Sequence, residues 1–376
     1  MVPPGQREAG GRRTALAGSA DRTLGHDPLA GSRGRRSPAV DVLCAGTVFL
    51  DIIFTGLPSP PEVGTEVWAE GMGSCPGGAA NIAVALSRLG MRTALAAPFG
   101  ADVYGDFCWQ LLDEQEGIDL SASRRFPGWH SPVTISMAYA RDRALVTHGH
   151  PPPVPFDDFV GIPPPCRAVV TSLSGEPAEW PLLDRGDGAL VFADVGWDPS
   201  QAWSAETLRQ LDDVDAFLPN AVEAMAYTQT DTPEAALAEL AERVPVAVVT
   251  MGAAGAIGID AATSQTARVP ALVTDALDPT GAGDVFVAAF VTGSLAGWPL
   301  EMRLRFSALC SGLSVRHFGG SQSAPGWADL VTWWMGVKDV DPDLTATYGF
   351  LSDVMPEGGL KSVSRATATI GLRTGR

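Results

Sequence analysis

Lysine is nearly absent. Of 376 residues only Lys338 and Lys361 are lysines, both near the C-terminus. A Walker-type phosphate loop with its lysine is therefore excluded, and phosphate handling falls to backbone N–H groups, arginine and metal. Cysteine is scarce too: the five thiols at 44, 75, 108, 166 and 310 are odd in number and widely spaced, with no C-x-x-C. That pattern excludes a disulfide framework or a zinc site and points to free thiols in a reducing cytosol, the expected compartment. No run of 18 uncharged apolar residues occurs; the longest candidate, Val244 to Ile259, is cut by Pro245 and three glycines. It reads as buried strands and a turn, so no membrane partner is expected. Nor do the first forty residues hold a continuous apolar signal-peptide core.

Core material is plentiful. Apolar residues make up 45%, with ten Trp and fourteen Phe, enough for one large α/β domain with an appendage or for two domains. The formal net charge is −17; residues 1–40 carry +4, from seven Arg against three acids, leaving −21 for the rest. So acidic a body repels phosphate backbones, and nucleic acid is not an expected partner. Residues 1–40, rich in Gly, Arg, Ser, Ala and Pro without periodicity, read as a disordered tail.

One stretch organises the rest: Asp278-Pro279-Thr280-Gly281-Ala282-Gly283-Asp284, running into Val285-Phe286-Val287-Ala288-Ala289-Phe290. A strand leads into a tight turn and then a buried helix. Glycines let bare N–H groups approach a ligand, and the helix N-terminus adds about half a positive charge. Asp284 at the edge of such an anion hole suits a general base that takes a proton from an attacking hydroxyl. An Asp there also serves as a helix cap, and on this stretch alone both readings stay open.

In chain order, a buried strand from Asp41 to Ala45 is expected to continue through Val48 to Phe54. It carries Asp51, an acid inside an apolar run that is costly unless used. At a strand end of an open α/β sheet it suits a ligand hydroxyl. Glu66 to Glu70 alternates like an exposed strand. Cys75-Pro76-Gly77-Gly78 reads as a tight glycine turn opening a helix, with Asn81 in its first turn and Gly90 at its end. Pro132 to His148 alternates as a β-hairpin, and with residues 62–71 predicts a small sheet apart from the main body. His148 and His150 form an H-x-H that reads as solvated loop histidines. From Ala168 strands and helices alternate, which predicts a parallel sheet. Past residue 335 the pattern fades into an expected loosely ordered tail, 336–376.

Together these stretches resemble the ribokinase-like, or PfkB, family of carbohydrate and nucleoside kinases over roughly residues 41–335. Gly77-Gly78-Ala79-Ala80-Asn81 is similar to the N-terminal signature, and Asp278 to Asp284 to the second one. Asn220-Ala221-Val222-Glu223 is similar to the family's N-x-x-E, and Thr250-Met251-Gly252-Ala253-Ala254-Gly255 to its T-x-G-x-x-G. The resemblance implies a doubly wound α/β fold, with a mostly parallel sheet, helices on both faces and a small β lid. It implies ATP-dependent phosphoryl transfer with Mg²⁺, chemistry that needs positioning more than covalent help.

By the resemblance Asp284 is the base, and Gly281, Ala282 and Gly283 supply the anion hole. Asp51, Gly77, Gly78 and Asn81 hold sugar hydroxyls. Asn220 and Glu223 steer Mg²⁺ through water, and Thr250, Gly252 and Gly255 line the nucleotide cleft. Asp278 and Thr280, with the Gly319–Ser323 turn, match the monovalent-cation (K⁺) site of some members. Two departures blur the acceptor: Ala79 stands where many members have a polar residue, and the strand ending at Asp194 runs on as Val195-Gly196-Trp197 rather than D-P-N. Three readings follow: a sugar kinase, a nucleoside kinase with Trp68 or Tyr139 stacking on a base, or a non-catalytic sugar- or nucleotide-binding regulator. Exposed lid strands suggest a homodimer.

Overall fold

The computed structural model describes residues 26–366, apart from 36, 140–141, 156–157, 159, 161–162, 174–187, 197, 199, 357, 359 and 361. Its centre is an eight-stranded sheet ordered β14-β13-β12-β11-β10-β9-β1-β4. The strands are β1 (Val42–Ala45), β4 (Thr93–Ala96), β9 (Ala168–Leu173), β10 (Leu190–Val195), β11 (Ala216–Phe217), β12 (Val246–Thr250), β13 (Ala256–Asp260) and β14 (Gln265–Val269). From β4 to β12 every pairing is parallel, with Val42 opposite both Thr93 and Ala168; β13 and β14 close the far edge antiparallel.

Side chains alternate across each strand and feed three hydrophobic clusters, the smallest around Leu43, Ala45, Ala96 and Val169. Val42, Cys44, Phe192 and Val248 face one layer with helices Ala79–Arg88, Ala282–Leu295 and Leu300–Ser314. Val191, Ala193, Ala247 and Val249 face the other, under helices Ala221–Thr228 and Pro233–Ala241. In the helix Ala282–Leu295 every residue from Val285 to Gly293 is buried. A helix apolar all round belongs inside, and each of its buried phenylalanines contributes roughly 1.5–3 kcal/mol of transfer free energy.

A second sheet, ordered β3-β2-β7-β8, forms the lid from β2 (Val48–Thr55), β3 (Gly71–Gly78), β7 (Val133–Tyr139) and β8 (Asp142–His148). A short pair, β5 (Pro98–Gly100) with β6 (Arg124–Phe126), lies beside it. The doubly wound α/β architecture with a β lid is as expected. Among the described residues no helix is long and apolar enough to cross a membrane.

Five expectations are corrected. The strand from Asp41 to Phe54 is two strands in two sheets, broken at Gly46 and Thr47, so the chain passes from the body straight into the lid. Glu66 to Glu70 is not a strand, and Gly77-Gly78 is not a turn: β3 runs from Gly71 through both glycines, pairing Asp51 with Cys75 and Phe49 with Gly77.

Residues 26–40 are not a free tail. Leu29 is buried, and Arg33 reaches the buried Asp41 at 2.6 Å, where Arg92 also bonds at 3.0 Å. Residues 1–25 lie outside the described residues.

Nor is the C-terminal part loose. Helices Trp327–Val337, Pro342–Tyr348 and Leu351–Val354 bury Trp327, Trp334, Tyr348 and Leu351 against the core. Residues 367–376 lie outside the described residues, as do Trp197 and the side chain of Tyr139.

Candidate active site

The expected acceptor residues, from β2 and from the β3–helix junction, meet the Asp278–Asp284 and Gly319–Ser323 turns where body and lid touch. Asp51, on β2, is buried against β3. A Cβ on Gly77 would fall inside its carboxylate, so only glycine admits Asp51 here. Gly78, at φ +62°, starts the helix Ala79–Arg88, and Asn81 sits in that helix's first turn. Its Nδ2 donates to Asp284 Oδ2 at 2.9 Å across 203 residues of chain. Asn81 is buried, and its Oδ1 has no hydrogen-bond partner among the described residues. That oxygen lies 3.1 Å from the position a Cβ on Gly320 would take, a position 3.5 Å from Asp51 Oδ2.

The capping role of Asp284 falls away. Gly281, at φ +77°, is the N-cap of Ala282–Leu295, which places Asp284 in the helix's first turn with its carboxylate on Asn81. Ala282 N–H is engaged by Pro279 O at 3.2 Å, so an anion at this turn competes with that bond. Asp278 ties two loops, accepting from Thr280 N–H at 2.9 Å and Gly319 N–H at 3.2 Å. Thr280 Oγ1 stands 3.4 Å from Ser136 Oγ of β7, where the lid meets the turn.

Asn220 and Glu223 form a capping box at the start of Ala221–Thr228: Asn220 Oδ1 accepts from Glu223 N–H at 3.0 Å, and Glu223 Oε2 from Asn220 N–H at 3.1 Å. A lone parallel bridge sets Asn220 beside Thr250 at the C-terminal ends of β11 and β12, where ligands of open α/β sheets bind. Beyond it the Met251–Gly255 turn closes through Met251 N–H to Gly255 O at 2.8 Å. Gly252 is exposed at φ +55°, and Gly255 needs its missing Cβ because Val269 O occupies that space.

Sequence reasoning treated Asp194 only as a departure from the family pattern. It stands at the end of β10, and burial, then the Asp284 charge, lift its carboxyl well above the usual range; a Ser172 hydrogen bond opposes this and Glu223 adds to it. Its contact surface is partly accessible, but protein atoms surround it at longer range, and that crowding sets its desolvation. Burial likewise pushes Glu223 up to about 7, against its Asn220 hydrogen bonds and with a further push from Asp284. An acid inside an apolar run was the signal that found Asp51, which lies mid-strand in the lid rather than at a strand end of the main sheet as expected; the same signal was present at Asp194. His148 and His150 pack edge to face, and His130 joins them against His148.

A family model described as pfkB family carbohydrate kinase matches residues 42–150 and 185–327. The chain belongs to the pfkB family of carbohydrate kinases. This pfkB kinase is 23% identical over 308 residues to an ATP-dependent 6-phosphofructokinase of Thermoanaerobacterium thermosaccharolyticum, covering 76% of this chain and 91% of that protein. It is 26% identical over 301 residues to a nucleoside kinase of Methanothermobacter thermautotrophicus, covering 77% and 94%. Its fold matches a putative ribokinase II of E. coli, solved with ATP and Mg²⁺, at a TM-score of 0.65 and 18% identity, over 79% of this chain and all of that one.

Proposed function

We propose that this pfkB kinase transfers the γ-phosphoryl group of ATP to a hydroxyl of a small sugar, with Asp284 as the base. One observation carries the reading. Asn81 holds Asp284 through its amide while its own buried Oδ1 lacks a partner among the described residues and faces Gly320 and Asp51. A buried carbonyl without a donor is costly, and an acceptor with several hydroxyls supplies that donor beside the base. The hydroxyl proton passes to the Asp284 carboxylate as its oxygen bonds to phosphorus, and the bond from phosphorus to the ADP oxygen breaks. N–H groups of the Gly281–Gly283 turn and the helix N-terminus meet the charge that develops.

Mg²⁺ fits the donors. Beyond burial, the charges of Asp284 and Glu223 raise Asp194, and that of Asp284 raises Glu223, a field that a divalent cation relieves. Among the described residues no three His, Cys, Asp or Glu side chains converge to hold a metal, so Glu223 would hold it through waters alongside nucleotide phosphates. When bound, Mg²⁺ neutralises phosphate charge. Thr250, Gly252 and Gly255 would line the nucleotide side with backbone. Asp278 and Thr280 would border a K⁺ site, although Asp278 is already engaged as a loop clamp.

Trp68 does not favour a nucleoside acceptor. It lines a cavity of about 330 Å³ with Phe54 and Met72, which by strand alternation face away from Asp51. A second copy covering the lid edge at β8, where Leu145 and Val146 are half-exposed, would account for that surface; a monomeric mass by light scattering, with and without ATP, would end the idea. The function itself is tested by ADP release with Mg²⁺ across ribose, fructose, 2-keto-3-deoxygluconate, adenosine, inosine and pseudouridine. Turnover standing out on a sugar supports the reading, on a nucleoside moves the acceptor class, and silence without ATP binding removes the kinase assignment for this chain.

A further inference from the structure

The last described residues, Leu360 and 362–366, lie beyond the family match and come back to the acceptor pocket. Leu360 packs against the main core, Val363 Cγ1 fills the space beside Gly326, and Ala366 Cβ lies against Gly319 and Gly73. Between these anchors Arg365 Nη1 donates to the carbonyls of Gln322, Ser323 and Ala324 at 3.4, 3.1 and 3.3 Å, while Nη2 pairs with Asp329 at 3.0 Å. A second guanidinium arrives from the other side. The buried Arg88 donates to Gln322 O at 3.2 Å, to Ala324 O at 2.7 Å and to Ser364 O at 2.6 Å. Arg88 is itself fixed by a bidentate pair with Glu116 at 2.9 and 2.8 Å, and Glu116 also accepts from Gln322 Nε2 at 2.9 Å. Glu116 directly follows the π-helical turn Leu111–Gln115, a helix irregularity that re-aims side chains.

The turn so gripped is a wall of the pocket. Gly320 stands beside Asn81 Oδ1, Asp51 and Gly281, Ser321 Oγ donates to Pro76 O at 2.5 Å, and Gly319 N–H reaches Asp278. No bond of the segment reaches Asn220, Thr250 or the Gly252–Gly255 turn among the described residues. We propose that residues 362–366 act as a strap, with Leu360 as its anchor, and that Arg365 is a positioning residue for the acceptor side of the reaction. It fixes the Gly319–Ala324 turn, and through it Pro76–Gly77 and the space between Asn81 and Asp51. The inference rests on the reading of that space as the acceptor pocket. Arginine suits the task because its planar fork bonds several carbonyls and an acid at once, which a lysine ammonium does not reproduce.

The test uses the full chain as wild type, Arg365→Ala and Arg365→Lys, on whichever compound of the panel wild type phosphorylates. Arg365→Ala raises the acceptor KM by about tenfold or more, since small misplacements near reacting groups are amplified, and leaves the ATP KM unchanged. Arg365→Lys falls between the two. Amide hydrogen exchange in the Ala variant quickens in peptides covering 314–324 and 71–81 and not in those covering 216–228. An ATP KM that rises as much as the acceptor KM would mean a general structural role and overturn the proposal, as would unchanged kinetics. If wild type phosphorylates nothing, the kinase reading fails separately and the exchange pattern decides: quickening confined to those two peptides supports the strap, and quickening everywhere or nowhere overturns it.

Discussion

On the acceptor side of the cleft, side chains bond groups from distant parts of the chain: Asn81 to the Asp284 carboxylate, Ser321 to Pro76 O, Asp278 to Gly319 N–H, Thr280 to Ser136. On the nucleotide side, apart from the Asn220–Thr250 bridge, contacts are mostly local: the Asn220–Glu223 box spans four residues, the Met251–Gly255 turn closes on itself, and Gly252 has nothing within 4 Å of its missing Cβ. The two halves therefore fail differently. A group added on the acceptor side must displace several partners at once, since packed interiors do not yield locally; on the nucleotide side Gly252 has room, though Gly255 does not.

The largest effect is expected at Gly77. Gly77→Ala drives a methyl into the Asp51 carboxylate, and acceptor turnover should fall by about a hundredfold or more, while ATP affinity by calorimetry stays near wild type. Loss of both would make the two halves one unit. Next is Asn81→Ala, which releases Asp284 and removes the unpartnered Oδ1. A drop in kcat of about 10–100-fold is expected, in line with loss of a charge-assisted bond of ~1.5–3 kcal/mol, and an unchanged kcat would show that Asp284 needs no such support.

The nucleotide side can be probed by pH. Glu223, normally near 4.5, is pushed up to about 7 in the folded protein, so the native state holds its proton more tightly than the unfolded chain does. The stabilisation this brings is complete below about 4.5 and lost as pH rises through about 7. Asp194 shifts in the same direction. The metal-free protein should therefore lose on the order of 1–3 kcal/mol of stability over that window, seen as a falling Tm, and Glu223→Gln should flatten the curve. A Tm that climbs over the same range would reverse the sign of the account. The smallest effect belongs to Gly252→Ala: the space is open and only the positive φ is strained, so about 1 kcal/mol of stability is expected to go, with the acceptor KM untouched. A changed acceptor KM would breach the division between the halves.

Legibility followed the same division of labour in the chain. Asp51, Gly77, Asn81 and the Asp278–Asp284 turn could be found because an acid or a glycine cluster in an apolar setting is anomalous on its face. The break at Gly46 was hidden, because the apolar run continues across it although its two parts serve different sheets. Gly77 and Gly78 looked like a turn because glycine punctuates turns; here the strand has no side chain so that Asp51 can lie over it. The stretch before Asp41 and residues 362–366 were illegible because their anchors, Leu29, Arg33, Val363 and Arg365, are single residues without periodicity. Leu29 docks in the core, Val363 beside Gly326, Arg33 on the buried Asp41 and Arg365 on the Gln322–Ala324 carbonyls.

The central claim is that Asp284 takes the acceptor proton while ATP is held by other groups. The direct measurement is Asp284→Asn beside wild type, with ADP release and ATP affinity determined on the same preparations. A loss of about 10²–10⁴ in turnover with unchanged ATP affinity is the predicted result. Near-normal turnover would contradict it, and base catalysis would then have to be sought elsewhere in the cleft.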